Sequence, residues 1–158
     1  MKDKNEYNHQ LFLKHLSASH QAVWTAALWM WSTGRQVTIN PTTSSEKYKD
    51  RMKHRDSGDL LVNGNRVEVK KRGINFTGKD DWPHKDFLVC AKHSYDMAEN
   101  KPTGYIIMSS DMNYAGLVSS ETYDQWGVTH RKDSRYKDYS QDFYVISLDY
   151  VTWHKVTI

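Results

Sequence analysis

The sequence has one cysteine among its 158 residues, so no disulfide can form within a single chain. Small secreted domains stapled by disulfides are therefore excluded, and the composition fits a reducing cytoplasm. The cysteine, Cys90, lies in the apolar run FLVCA. A buried thiol that acts as a small hydrophobic group is the simplest interpretation of that position.

Neither sign of charge dominates the chain. It carries 22 Lys and Arg against 19 Asp and Glu, a formal net charge of +3 with the histidines neutral. This balance excludes a uniformly basic, histone-like coat. Any affinity for nucleic acid must therefore come from local clusters of basic residues.

Long apolar runs are also missing. The most apolar helix-like segment, residues 22–31, is about half as long as the ~20 residues that a membrane span requires. The first ten residues, MKDKNEYNHQ, lack the basic and apolar regions of a secretory signal. We therefore expect a cytoplasmic protein with no membrane partner. The length is typical of one domain, which we expect to span residues 1–158.

The N-terminal part of the sequence predicts a helix and a strand. Residues 8–32 contain no Pro or Gly, and their apolar residues recur at spacings of three and four, which is typical of one long helix. Residues 36–40 form a short β-branched run that Pro41 closes, a pattern that predicts the first strand. Residues 41–56 are polar and rich in Lys and Arg, as in a surface loop or a short exposed helix.

The clearest local pattern is a β-hairpin. Residues 59–62 and 66–70 are strand-like and flank Asn63-Gly64-Asn65, whose Asn and Gly tolerate positive φ. The hairpin falls in the middle of the order of elements, so we expect its polar residues near the centre of a sheet. Burying charge there demands a compensating partner.

The remaining elements follow from shorter patterns. We expect strands at 87–91, 105–109 and 114–118, a short helix at 93–100, a helix start at 119–126, loops at 73–85 and 129–141, and closing strands at 143–148 and 151–158. This order predicts an α+β (α/β-like) fold with a central mixed β-sheet flanked by helices.

Three side chains of the hairpin together suit phosphodiester hydrolysis. Alternation sets Glu68 and Lys70 on one face of their strand, and Asp59 joins them if it points the same way. Hydrolysis requires an activated water and neutralisation of phosphate charge. Asp59, Glu68 and the Val69 carbonyl offer the oxygen ligands that Mg²⁺ prefers, and Lys70 can orient or deprotonate water or stabilise developing charge.

Gly58-Asp59, eight further residues and Glu68-Val69-Lys70 resemble the bipartite motif of the PD-(D/E)XK, or restriction-endonuclease-like, nuclease superfamily. The resemblance implies a core of a helix, a three-strand meander, a helix and a fourth strand. It also implies that Asp59 and Glu68 bind Mg²⁺, with Mn²⁺ as a substitute, and that Lys70 assists catalysis.

The sequence departs from the family pattern at two points. Gly58 stands where the family often has Pro before its first acid. Many members add a glutamate from the first helix, whereas Glu6 precedes the expected helix and Glu46 follows the first strand. The Gln-x-x-x-Tyr mark of the RecB-like exonuclease branch is missing after Lys70, which favours an endonuclease or a resolvase-like enzyme.

Basic residues flank the motif on both sides, as expected for contacts with a DNA backbone. A homodimer is the expected assembly, because one catalytic site cuts one strand of a duplex. A second basic cluster at 129–141 contains acidic residues as well, and a solvated loop explains it equally well. The proposed phosphate contacts are Lys47, Lys49, Arg51, Lys53, Arg55, Lys71 and Arg72.

Other interpretations of the same residues remain open. Many solvated hairpins carry Asp, Glu and Lys on an outer face. A nucleic-acid-binding module that keeps the fold without turnover would carry the same motif. A Trp- and Tyr-rich interaction protein is a third possibility. We expect Trp24, Trp29 and Trp31 of the first helix to serve as core or subunit interface rather than as a platform for base stacking. The histidine spacings do not match a zinc site.

Overall fold

The computed structural model describes residues 3–40, 48–49 and 58–158, together with the backbone but not the side chains of residues 17–18. These residues form two α-helices, nine β-strands and three short 3₁₀ helices. The α-helices are α1 (Lys4–Ser32) and α2 (Lys92–Asp96); the strands are β1 (Val37–Ile39), β2 (Leu60–Val62), β3 (Asn65–Lys71), β4 (Asp86–Ala91), β5 (Gly104–Met108), β6 (Tyr114–Ser119), β7 (Gly127–Lys132), β8 (Ser140–Ser147) and β9 (Thr152–Lys155).

The first helix, α1, begins four residues earlier than the sequence pattern predicted. Asp3 caps it by accepting a hydrogen bond from the Asn5 amide at 3.4 Å, which satisfies one free N–H of the first turn. It ends at Ser32, and Gly34, two residues later, has a φ of +88°, which suits a residue without a side chain. Within the described residues, no helix combines the length and the hydropathy needed to cross a bilayer.

The larger sheet has six strands in the order β1-β2-β3-β5-β6-β9. Strands β1, β2 and β3 form an antiparallel meander, β5 is parallel to β3, and β6 and β9 continue antiparallel. The expected mixed sheet is thereby confirmed. The hairpin strand β3 lies third of six, so its polar residues are central, as predicted.

A two-residue turn sets the register of the β2–β3 hairpin. Asn63 and Gly64 both have positive φ, 50° and 80°, which is the geometry of a type I′ turn. Val62 and Asn65 pair immediately beside it, and Leu60 pairs with Val67. The hairpin therefore depends on four local residues, which is why the sequence predicted it.

The two faces of the larger sheet are covered differently. Helix α1 packs on one face, where Val69, Ile106 and Met108 meet its small and apolar residues in what we call the helix-side core. The other face packs against a second sheet of three strands, β4-β8-β7, in the sheet-side core. The expected helices on both faces are thus corrected: α2 packs on β4 and β8 instead.

The sheet-side core is closely packed. A Cβ built at Gly116 would lie 2.7 Å from Cζ of Phe87 and 3.0 Å from Cγ1 of Val151, so a larger residue cannot fit without movement. The core is aromatic, with Trp82 and Phe87 rings 4.8 Å apart. Its buried members are Phe76, Trp82, Phe87, Val89, Cys90, Tyr95, Tyr105, Ile107, Val118, Tyr144, Ile146 and Val151.

The prediction of a loop at 129–141 is wrong at both ends. Strand β7 continues to Lys132 and β8 begins at Ser140, so the turn between them spans only residues 133–139. Most residues of β7 are exposed, which removes the apolar alternation by which a strand is recognised. Pairing with β8, rather than local sequence, holds this strand in place.

The helix start predicted at 119–126 is confirmed as a 3₁₀ helix, Ser120–Gln125, capped by Ser119.

Candidate functional site

The hairpin register brings Asp59 and Glu68 together. Because Leu60 pairs with Val67, the next position along the same register sets Asp59 opposite Glu68. Directly opposed residues of an antiparallel pair point to the same face, with Cβ atoms about 4.5–5.5 Å apart. The negative charge of Glu68 raises the pKa of Asp59, so the two carboxyl groups lie within electrostatic reach of each other. Both acids of the predicted pair therefore lie on one face of the sheet.

The environment of Asp59 disfavours its charged form. Burial is the main cause that raises the pKa of Asp59 from 3.8 to about 7, and the negative charge of Glu68 adds to it. The Val69 amide opposes this rise by donating a hydrogen bond to Oδ2 of Asp59 at 2.7 Å. Near neutral pH Asp59 is consequently protonated in part of the molecules unless a cation replaces the proton.

The Val69 backbone faces the acid pair. The N–H and C=O of one strand residue point to the same side of the strand. Since the Val69 N–H donates to Asp59, the Val69 carbonyl oxygen is directed toward the same edge of β3. The side chain of Val69 points the other way, into the helix-side core.

Lys70 stands beside the acid pair on the same face as Glu68. Its positive charge lowers the pKa of Asp59, which places the ammonium group within electrostatic reach of that carboxylate. The charges of both Lys70 and Glu68 also act on the thiol of Cys90 in β4, although burial is what chiefly raises the pKa of that thiol. The three polar residues therefore face the second sheet rather than α1.

Arg66 completes the group, a role that the sequence analysis did not assign. Its Nε and Nη2 donate to Oε1 of Glu68 at 3.0 and 2.6 Å, and Nη1 donates to the Asn100 carbonyl at 2.7 Å. The Arg66 and Glu68 side chains are only 10% and 8% exposed. The signal was present in the sequence, because residues two apart on a strand share a face.

Gly58 makes room for this ion pair. Its φ is +97°, and a Cβ built there would lie 2.7 Å from both Cγ and Nε of Arg66. A side chain at position 58 would be strained and would displace the guanidinium group. Position 58 is often Pro in the PD-(D/E)XK superfamily, and the glycine of this chain thus has a structural reason.

The oxygen atoms of Asp59, Glu68 and Val69 suit a hard cation such as Mg²⁺, whose remaining ligands would come from water and a substrate phosphate. Among the described residues, no three His, Cys, Asp or Glu side chains converge as a metal cage. Mg²⁺ is commonly bound by one or two carboxylates, with water and phosphate oxygens completing its octahedron. Asp59, Glu68 and the Val69 carbonyl supply such oxygens at one strand edge. Both Arg66 hydrogen bonds to Glu68 go to Oε1, so they do not involve Oε2.

The predicted phosphate contacts have different surroundings. Lys71 and Lys49 are exposed. The Arg72 side chain is mostly buried and donates from Nη2 to the Leu88 carbonyl at 2.8 Å, so it is not a simple surface contact. Four of the predicted contacts, Lys47, Arg51, Lys53 and Arg55, lie outside the described residues.

Several further acidic candidates are accounted for locally. Glu6 lies within α1, not before it, and accepts hydrogen bonds from the Tyr48 amide at 3.3 Å and from Gln10 at 3.4 Å. Glu46 lies outside the described residues.

The tryptophans of α1 divide into two groups. Trp29 is buried in the helix-side core, which is one of the two roles expected for these residues. Trp24 and Trp31 are 59% and 67% exposed.

Searches of protein-family models, curated proteins and solved structures found no match for this chain.

Proposed function

We propose that this protein is a Mg²⁺-dependent endonuclease that hydrolyses DNA phosphodiester bonds. The observation that supports the proposal is the convergence of Asp59, Glu68 and Lys70 on one face of the sheet. Arg66 neutralises Glu68, whereas burial still disfavours the ionised form of Asp59 unless a cation lies beside it. Merely solvated hairpin charges would not be buried in this way.

The order of elements supports a restriction-endonuclease-like core. A long helix, an antiparallel meander of three strands and a crossover to a fourth, parallel strand follow one another, as the resemblance implied. The crossover differs from that scheme. It contains β4, which joins the second sheet, and a helix of only five residues.

Asp59, Glu68 and the Val69 carbonyl would hold the metal ion, with Mn²⁺ as a substitute for Mg²⁺. Bound there, the ion would supply a water of lowered pKa and neutralise phosphate charge. The chain's own contribution is positional. Arg66 holds the Glu68 carboxylate in one orientation, and the Val69 amide holds that of Asp59. Lys70 orients the attacking water or stabilises charge that develops on the phosphate.

Cleavage of supercoiled and branched DNA with Mg²⁺, Mn²⁺ or EDTA tests the proposal. We expect metal-dependent cutting that falls by about 100-fold or more in Glu68→Gln and Lys70→Met, the usual range for loss of an acid–base group. Lys155→Met, an exposed lysine on β9, is the matched control and should cut like the parent protein. Equal cutting by all variants, or cutting in EDTA, would contradict the assignment.

A nucleic-acid-binding module without turnover is the second candidate. The Arg66–Glu68 ion pair favours it, because a guanidinium group already neutralises one of the two acids. This candidate predicts DNA binding that survives chelation and persists in Lys70→Met, with no cutting under any condition.

If the protein is the proposed nuclease, it would be of the homing, phage or repair and resolvase type, and it would act as a homodimer on the two strands of a duplex.

A further inference from the structure

Two arginines from different sheets meet at the start of β4. Arg72, which follows β3, donates from Nη2 to the Leu88 carbonyl at 2.8 Å. The guanidinium group of Arg131, on β7, lies 3.8 Å from the Asp86 carboxylate. Leu88 and Asp86 are only two residues apart, so both positive groups approach the same short stretch of β4.

A third arginine is supplied by the turn of the β7–β8 hairpin. Arg135 donates from Nε and Nη2 to the two oxygens of Asp133 at 2.9 and 2.7 Å, and its guanidinium lies 5.2 Å from the centre of the Tyr136 ring. Helix α1 holds this turn in place through Asn8. Its side chain accepts from the Lys137 amide at 2.9 Å and donates to the Lys137 carbonyl at 3.2 Å.

The positive charge of this cluster is incompletely compensated. Burial, and after it the charges of Arg135 and Arg131, lower the pKa of Arg72 to about 10, so Arg72 remains charged at neutral pH. Among the described residues, its Nε has no hydrogen-bond partner. Arg131 and Asp86 are half-exposed and separated by 3.8 Å, which makes their ion pair a weak one.

We propose that Arg72, Arg131 and Arg135 form a binding site for phosphodiester groups of the DNA backbone. The β7–β8 hairpin is then the arm that holds one strand at the end of β3, two residues beyond Lys70. Planar guanidinium groups match phosphate oxygens in paired hydrogen bonds, and partial burial strengthens their attraction. The DNA part of this inference rests on the proposed function.

The site is tested by binding, measured in EDTA so that no cutting is involved. We would follow a short fluorescent DNA duplex by anisotropy over a series of salt concentrations, for the parent protein, Arg131→Gln and the control Lys155→Gln. Losing one phosphate contact should make the slope of log affinity against log salt less negative by about 1. We expect this change, with a several-fold loss of affinity, in Arg131→Gln and not in the control.

A second variant examines the arm itself. Asn8→Ala removes both hydrogen bonds to the hairpin turn without changing any charge, and we expect weaker DNA binding with an unchanged melting temperature of the remaining fold. An Arg131→Gln protein that binds like the parent, or a control that is equally impaired, would overturn the proposal. Stabilisation by inorganic phosphate without DNA binding would also overturn it, because the cluster would then serve a small anion.

These outcomes are separable from those of the nuclease assay. DNA binding that depends on Arg131, without cutting under any condition, would support the arm and contradict the nuclease. Metal-dependent cutting, together with DNA binding that is unchanged in Arg131→Gln, would support the nuclease and contradict the arm.

Discussion

Replacement of Asp59 by Asn is the most informative perturbation of the acid pair. The amide has nearly the shape of the carboxyl group, and its oxygen can accept from the Val69 amide, so that hydrogen bond of the parent side chain is retained. The variant differs from the parent mainly in that it cannot ionise.

The expected effect on stability follows from proton linkage. The pKa of Asp59 is about 7 in the folded protein and 3.8 when unperturbed, so the folded chain retains a proton that the unfolded chain releases between these values. The free energy of unfolding therefore falls as the pH rises from about 4 to about 7, by at most about 4 kcal/mol at 1.36 kcal/mol per unit. Asp59→Asn avoids this loss.

Urea unfolding in EDTA at a series of pH values measures the difference. We expect Asp59→Asn to match the parent near pH 4 and to exceed it at pH 8 by up to about 4 kcal/mol. All other ionisable groups are the same in both proteins, so their effect cancels in the comparison. Added Mg²⁺ should stabilise only the parent, by about 2.7 kcal/mol at 100 times its Kd. Parallel pH curves for the two proteins would refute the reasoning.

Two glycine substitutions provide further predictions. Gly58→Ala places a Cβ 2.7 Å from Arg66 at a φ of +97°, so we expect a loss of about 1–3 kcal/mol in urea unfolding together with weakened metal-dependent cutting. Gly116→Ala crowds Phe87 between the two sheets and should cost about 1–3 kcal/mol without any specific effect on metal response. Gly73→Ala, with open space around it, should change stability by less than about 0.5 kcal/mol. A Gly73→Ala protein as unstable as either of the others would show that these contacts do not decide the outcome.

The parts of the fold that were predicted correctly depend on local sequence. Helix α1 follows from a long segment without Pro or Gly, and the β2–β3 hairpin follows from Asn63-Gly64 between two strand-like runs. The second sheet was not predicted. Its strand β7 is largely exposed and is held by pairing with β8 across a seven-residue turn, so no periodic apolar signal marks it.

The sequence by itself determined that Glu68 and Lys70 share one face of their strand, because strand alternation acts between near neighbours. That Asp59 lies on the same face follows from the Leu60–Val67 pairing of the folded hairpin. Only the tertiary structure decided how that group is surrounded. The burial of the Arg66–Glu68 ion pair, the contact of Arg66 with the Asn100 carbonyl, and the meeting of Arg72 with Arg131 at β4 depend on packing between segments distant in sequence. Side-chain packing and burial act through space, so a linear pattern cannot show them.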